Sequence, residues 1–329
     1  MRLRKVLKYT FLVLLVLILL LPGGIYLGVG PALSCIFPSS GPVTIGLSTR
    51  VVLSNGAERC YLLYTPPGFN PDARAPVIFA LHGLAGNPQG FRGMTGWEEI
   101  ADRESFLVVY PHGSSFPLRW NTSPAFHIEE TDDVRFIADI LSDLSEIAAV
   151  DEDRVYVTGF SNGAGMTDLI ACTLADRVAA VGLVEGKGED DPSRCMPTRP
   201  VPVIAFFGTG DPLESAEYPI WFYDLMNLSS DPQYREGVPI STWLEGWVSR
   251  NGCDPRPRPL PDVGDATVKG YHGCADHADV VIYTIEGGGH TWPGGWNLPF
   301  FGKISTSVDA SEIMWEFFED HPRVDESTR

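Results

Sequence analysis

The chain has 329 residues, 44% of them hydrophobic and 20% charged, the proportions of a folded protein with a sizeable core. Its 42 Asp and Glu outnumber 24 Lys and Arg, for a formal net charge of −18. That balance excludes nucleic acid and other polyanions as partners and fits a solvated acidic surface.

The first 34 residues differ from the rest. Arg2, Arg4, Lys5 and Lys8 precede the apolar run YTFLVLLVLILLL and then Pro22-Gly23-Gly24, the pattern of an export signal. Ala32-Leu33-Ser34 ahead of Cys35 fits a cleavage site, while the uncharged stretch up to Arg50 is also long enough to remain as an anchor. Residues 1–34 are therefore read as a signal peptide or an N-terminal membrane anchor. Residues 35–329 are read as a single catalytic domain outside the cytoplasm: secreted or periplasmic, touching the membrane only through an uncleaved leader.

Along that domain, apolar runs with the look of buried strands begin at Arg59 (RCYLLYT), Pro76 (PVIFALHG), Phe106 (FLVVYPHG), Arg154 (RVYVTGF), Ala179 (AAVGLVEG), Val201 (VPVIAFFG) and Asp279 (DVVIYTIEG). Between the third and fourth, Val134, Ile137, Ile140, Leu141, Leu144 and Ile147 keep helical spacing, with Thr131 as N-cap and Asp132 and Asp133 in the first turn. Further helices are expected over 97–104, 162–176, 240–251 and 308–320. This alternation predicts an α/β fold with a mostly parallel central sheet, helices on both faces and reactive groups at the carboxyl ends of the strands.

Six cysteines in an exported chain read as disulfides. Neighbourhood in sequence suggests Cys172 with Cys195 and Cys253 with Cys274, although spacing alone leaves the pairing open. His272, Cys274 and His277 form an H-x-C-x-x-H cluster that could hold zinc, a reading weakened by the absence of a companion C-x-x-C; no metal is expected.

The stretch VYVTGFSNGAGM carries a G-x-S-x-G core, Gly159 to Gly163. Val155 and Val157 before it are strand-like, and Met166, Leu169, Ile170 and Leu174 after it keep helical spacing, so the turn joins a strand to a helix instead of closing a hairpin. Such an elbow holds a serine in a strained conformation and needs very small residues two before and two after it. Ser161 is thus the candidate nucleophile. It requires a base and an acid to orient that base.

His290, in the glycine-rich GGGHTWPGG after a late strand, is the candidate base, whereas His82 in ALHGLAGN is read as structural. Asp211 in VIAFFGTGDPLE lies between serine and histidine just past a buried strand, which Asp191, Asp231 and Asp276 do not. The oxyanion donors expected are the N–H groups of Asn162 and Leu84. Aromatics at 218–223, including Trp221, and Trp292, Trp296, Phe300 and Phe301 after the histidine are candidates for an apolar substrate rim or for ordinary loop packing.

LHGLAGN, DDVRFIADILSDL, VDEDRVYVTGFSNGAGM, ADRVAAV and GGGHTWPGG, in this order over about residues 44–320, closely resemble the exported polyhydroxybutyrate depolymerase-like esterases, a family that includes feruloyl and acetylxylan esterases. The resemblance implies an α/β-hydrolase fold, no cofactor, ester hydrolysis outside the cell, and a triad of Ser161, Asp211 and His290. The chain departs from the family in Phe207-Gly208, where His-Gly is common, and in Arg119-Trp120, where a Cys-Trp pair is common; Trp120 joins the substrate-binding candidates. The substrates implied are 3-hydroxybutyrate polymers or oligomers, or else polysaccharide-linked feruloyl and acetyl esters. A rival of another class is a non-catalytic hydrolase-fold binding domain at the membrane.

Overall fold

All seven apolar runs form strands, and they lie in one ten-stranded sheet. The structure, a computed structural model, describes residues 38–122, 131–188, 195–213, 239–297 and 301–323. The export segment, Trp221 with its neighbouring aromatics, Phe300, and the rival acids Asp191 and Asp231 lie outside those residues.

The strands are β1 (Gly46–Ser54), β2 (Ala57–Thr65), β3 (Ala75–Leu81), β4 (Leu107–Pro111), β5 (Val150–Phe160), β6 (Ala180–Val184), β7 (Val203–Gly208), β8 (Arg258–Val263), β9 (Ala266–Tyr271) and β10 (Val280–Ile285). Their order across the sheet is β1-β2-β4-β3-β5-β6-β7-β10-β9-β8. The run from β4 to β10 is parallel, and antiparallel strands close both edges. Chain order reverses around β3, with β4 on one side and β5 on the other, which opens a crevice at the carboxyl ends of the central strands.

The helices are α1 (Pro88–Thr95), α2 (Trp97–Glu104), α3 (Asp133–Ile147), α4 (Asn162–Thr173), α5 (Ile240–Arg250) and α6 (Ala310–Glu319). Because successive residues of a strand face opposite sides, β3 divides its side chains between two cores. Val77, Phe79 and Leu81 pack with Phe136, Ile140 and Leu144 of α3, Met166 and Ile170 of α4, and Trp243 and Trp247 of α5. Ile78 and Ala80 pack with Trp97 and Ile100 of α2 and Met314, Trp315 and Phe318 of α6. Both faces are covered, which is why the central strands read as unbroken apolar runs.

Three strands and one helix were not expected. β1 and β8 are the two edges of the sheet and β9 lies next to β8, and β8 buries no residue fully, so it carries no apolar run to betray it. α1 buries only Pro88, Phe91 and Thr95. The α3 cap also differs: Asp132, not Thr131, accepts the Arg135 N–H, at 2.8 Å. Asp133 then turns inward, where its buried carboxylate meets Arg59 Nη1 of β2 at 2.7 Å and the Asn121 N–H at 2.7 Å. The Arg59 guanidinium lies 3.7 Å over the Phe136 ring.

Both anticipated disulfides are formed, Cys172–Cys195 and Cys253–Cys274. With Cys274 in a disulfide, and His272 Nδ1 bonded to Asp279 Oδ2 at 2.7 Å, the zinc reading of 272–277 loses its thiolate.

The Arg59–Asp133 pair makes a test of the β2–α3 connection. Arg59→Ala leaves an uncompensated carboxylate in the core and is expected to cost about 3 kcal/mol in urea unfolding. A loss below about 1 kcal/mol would mean that the pair acts as a surface contact.

Candidate active site

The G-x-S-x-G turn follows β5 directly, and α4 begins at Asn162. Ser161 has φ 55 and ψ −121, a conformation costly for any residue with a Cβ. The reason is crowding. A Cβ on Gly159 would lie 2.2 Å from the Gly163 carbonyl oxygen, and one on Gly163 would lie 2.2 Å from the Leu81 carbonyl oxygen. Only glycines let strand and helix approach this closely, and the serine between them is pushed outward.

The β7 and β10 loops meet in the same way. A Cβ on Gly208 would sit 2.2 Å from the Gly288 carbonyl oxygen, and the Gly210 N–H donates to Gly288 O at 2.8 Å. This contact brings Asp211 and His290 together, with Asp211 Oδ2 2.7 Å from His290 Nδ1. Both side chains are buried. Burial works against the Asp211 carboxylate, but the hydrogen bond and charge of His290, the Leu213 N–H at 2.7 Å and the neighbouring Glu185 side chain outweigh it, so its pKa is held below the ordinary aspartate value.

Occupation of Nδ1 by Asp211 leaves Nε2 to serve as the basic nitrogen. The Phe160 ring, one residue before the serine, lies 4.9 Å from the imidazole. Among the described residues Ser161 Oγ and His290 Nε2 are not yet hydrogen-bonded, a bond that is commonly long without substrate and tightens around it.

The oxyanion candidates flank the serine. Asn162 is the first residue of α4, so its N–H is one of the orphan donors of the helix, with the positive end of the dipole behind it. On the other side a Cβ on Gly83 would lie 3.3 Å from Ser161 Cβ, so the Gly83-Leu84 loop abuts the nucleophile. That loop is held by Ala85 N–H to Leu118 O at 2.7 Å and Gly86 N–H to Gly83 O at 3.0 Å, neither of which uses Leu84 N–H.

His82 braces the loop from beneath. Its Nδ1 pairs with Gly83 O at 2.8 Å, its Nε2 accepts from Gly113 N–H at 3.1 Å, and burial pushes its pKa down to about 3. The expected structural role fits this neutral, fully engaged ring.

The tryptophan candidates divide. Trp120 is fully buried with its indole N–H on His82 O at 2.7 Å, and Trp292 is buried against Phe91 with its N–H on Ser311 Oγ at 3.1 Å. Neither reaches the surface, so both are corrected from substrate contacts to core supports. Trp296 is 43% exposed and Phe301 is 38% exposed, and the Phe301 ring centroid lies 6.2 Å from that of His290.

Two contributions escaped sequence reading. The Asn162 side chain clamps the Trp120 backbone, accepting its N–H at 2.7 Å and donating to its carbonyl at 3.2 Å. Glu185, at the end of β6, enters the acid site; an acid directly following a buried strand was the signal that could have found it. Among the described residues, two clusters offer three potential metal ligands within 4.8 Å: Glu185, Asp211 and His290, and Asp168, Cys172 and Cys195. The first is knit by hydrogen bonds, and two members of the second are joined in a disulfide.

A parallel sheet with a serine on a strained elbow and an acid–histidine pair on later strand ends is the plan of an α/β-hydrolase. The acetyl xylan esterase from Aspergillus awamori shares this fold, with a TM-score of 0.56 at 16% identity, over 83% of this chain and 99% of that one. Residues 59–192 match the family described as Esterase PHB depolymerase. The Nocardia uniformis subsp. tsuyamanensis protein named "Putative esterase NocK" is 32% identical over 291 residues, 82% of this chain and 80% of its own. Feruloyl esterase B of Piromyces equi is 28% identical over 235 residues, 68% of this chain but only 41% of that longer protein. The chain belongs to the esterase PHB depolymerase family, whose matching members are carboxylic ester hydrolases.

The elbow makes a direct test. Gly163→Ala sets a methyl against the backbone of β3, which has no side chain to move aside, and is expected to cost about 3 kcal/mol in denaturant unfolding. An unchanged unfolding midpoint would refute the crowding argument.

Proposed function

We propose that this protein is an exported serine esterase that works through an acyl-enzyme. The observation that carries the reading is the Asp211–His290 pair, at 2.7 Å on the ends of β7 and β10, beside a serine whose backbone is held at φ 55. Ser161 Oγ attacks the ester carbonyl as His290 Nε2 takes its proton, and Asp211 holds the tautomer and steadies the imidazolium. The N–H groups of Asn162 and Leu84 receive the oxyanion. His290 then protonates the departing alcohol, the acyl group stays on Ser161, and water activated by the same nitrogen releases the acid. No cofactor enters the sequence.

The substrate class proposed is a 3-hydroxybutyrate polyester or its oligomers. Its chain of alternating apolar and ester units suits an exposed aromatic rim at Trp296 and Phe301. A second reading, a feruloyl ester on a plant polysaccharide, draws on the similarity to feruloyl esterase B and on the same aromatic surface. Action outside the cytoplasm is supported by the leader composition and by the disulfides.

A fluorophosphonate probe tests the chemistry without a choice of substrate: covalent labelling of the folded protein at Ser161 is expected, and its absence would favour a non-catalytic binding domain. Ser161→Ala should lower kcat on the order of 10⁶-fold and Asp211→Asn about 10⁴-fold. Comparative kcat/KM on 3-hydroxybutyrate oligomers, methyl ferulate and acetylated xylan decides between the substrate classes.

A further inference from the structure

β6 ends at Val184, and the next residue, Glu185, is a carboxylic acid only 6% exposed. Its backbone has φ 48, a left-handed conformation that costs a residue with a Cβ about 1–2 kcal/mol. The backbone around it is fixed by the elbow. Ser161 N–H donates to Val184 O at 2.9 Å, Glu185 N–H donates to Phe206 O at 3.0 Å, and a Cβ on Gly186 would lie 2.3 Å from the Ser161 carbonyl oxygen. Glycine would fit position 185 with less strain, so the acid side chain there calls for a role.

That side chain reaches across to β7. Glu185 Oε1 accepts the Gly208 N–H at 2.8 Å, and the carboxyl comes within 4.8 Å of an Asp211 carboxylate oxygen. Potential ligand atoms of Glu185, Asp211 and His290 all lie within 4.8 Å of one another. Two carboxylates buried this close repel each other, and an ionised carboxylate only accepts hydrogen bonds, so the pair is favoured when one keeps its proton and donates to the other. Asp211 already accepts from His290 and Leu213, contacts that favour its ionised form.

Resting on the serine-esterase reading above, we propose that Glu185 is a positioning residue: a buried, protonated acid that donates to Asp211 and so fixes the carboxylate that orients His290. It touches neither substrate nor the transferred proton. Its effect is to hold the acid–base pair in the geometry that attack requires, where small misplacements are costly.

Three variants separate the roles open to this side chain. Glu185→Ala and the bulkier Glu185→Leu remove the donor, and each is expected to lower kcat on a p-nitrophenyl ester about 10- to 100-fold with KM little changed, and to slow fluorophosphonate labelling in parallel. Glu185→Gln offers an acceptor to Gly208 and a donor to Asp211, so it should restore kcat to within about fivefold of the wild type. The low-field proton signal of the His290 Nδ1–H should move in the Ala or Leu variant and return in Gln.

Gln as damaging as Ala or Leu would overturn the proposal, because the active form would then be a charged carboxylate. Wild-type kcat in a folded Ala or Leu variant would overturn it as well. Should neither of these fold, Glu185→Asp, which keeps an acid but withdraws it from Asp211, takes their place: a 10- to 100-fold fall in kcat beside near-wild-type activity in Gln sustains the proposal, and wild-type kcat in Asp or a loss in Gln overturns it. Labelling of the wild-type protein at Ser161 is the control: its failure defeats the esterase reading, whereas labelling with unaffected variants defeats only the role of Glu185.

Discussion

The site rests on the contact between the backbones of Gly159 and Gly163. Because neither carries a Cβ, α4 docks with its first turn over the end of β5, and the carbonyl of Leu81 in β3 can lie against it. Three elements are thereby locked within van der Waals contact, and Ser161 is left with an unfavourable backbone conformation. Strain of that kind costs about 1–3 kcal/mol and persists only where the surroundings over-determine it. Here they do: β5 lies between β3 and β6, and Val155, Tyr156 and Val157 are buried on both faces of the sheet. Each fully buried side chain of this size contributes about 1.5–3 kcal/mol, so the centre of the sheet offsets the strain at its end.

The same crowding governs the electrostatics. The glycines that let the β7 and β10 loops touch also exclude water from the Asp211–His290 bond, and inside a low-dielectric site a hydrogen bond to an ion strengthens. A buried carboxylate with too few donors would instead take up a proton and lose its use. Asp211 is supplied by His290 and Leu213, with the Glu185 carboxyl beside them. Asp168, on the buried face of α4, shows a different balance: burial pushes its pKa up even though two indole N–H groups, from Trp243 at 2.7 Å and Trp247 at 2.8 Å, bond one of its oxygens. The opposed imidazole and the shallower burial of Asp211 are what separate the two acids.

What was legible in the sequence was what the core demands. The seven buried strands announce themselves because both faces are covered, and the elbow because its glycines cannot be replaced. β1 and β8 were invisible because they are edges that bury little, and β9 because its alternating buried positions are filled by Ala266, Val268 and Gly270, too little apolar surface to form a run. Tryptophan misled for a related reason: a large ring near a reactive loop reads equally as rim or as packing, and Trp120 and Trp292 prove to be packing whose N–H groups tie loops down. Glu185 was passed over because one acid after an apolar strand is ordinary in sequence. Its meaning comes only from β7 lying beside β6, a neighbour that no local pattern reveals.

The two departures from the family pattern sit differently in the fold. Phe207 is buried beneath the acid loop, 5.8 Å from the Trp243 ring, on the face away from Ile204 and Phe206, so an aromatic there supports β7 without reaching His290. Arg119 is also buried, and its backbone closes a turn with Ser114. Both therefore act on how firmly the loops are seated rather than on the reacting atoms. Trp296, by contrast, packs against α1, where a Cβ on Gly93 would lie 2.6 Å from its ring, yet keeps 43% of its surface exposed. An aromatic anchored at one edge and open at the other presents a fixed apolar surface at little entropic cost. The sheet thus fixes the backbone of the elbow and of the acid–histidine pair, while the loops at its carboxyl edge carry the exposed aromatic surface.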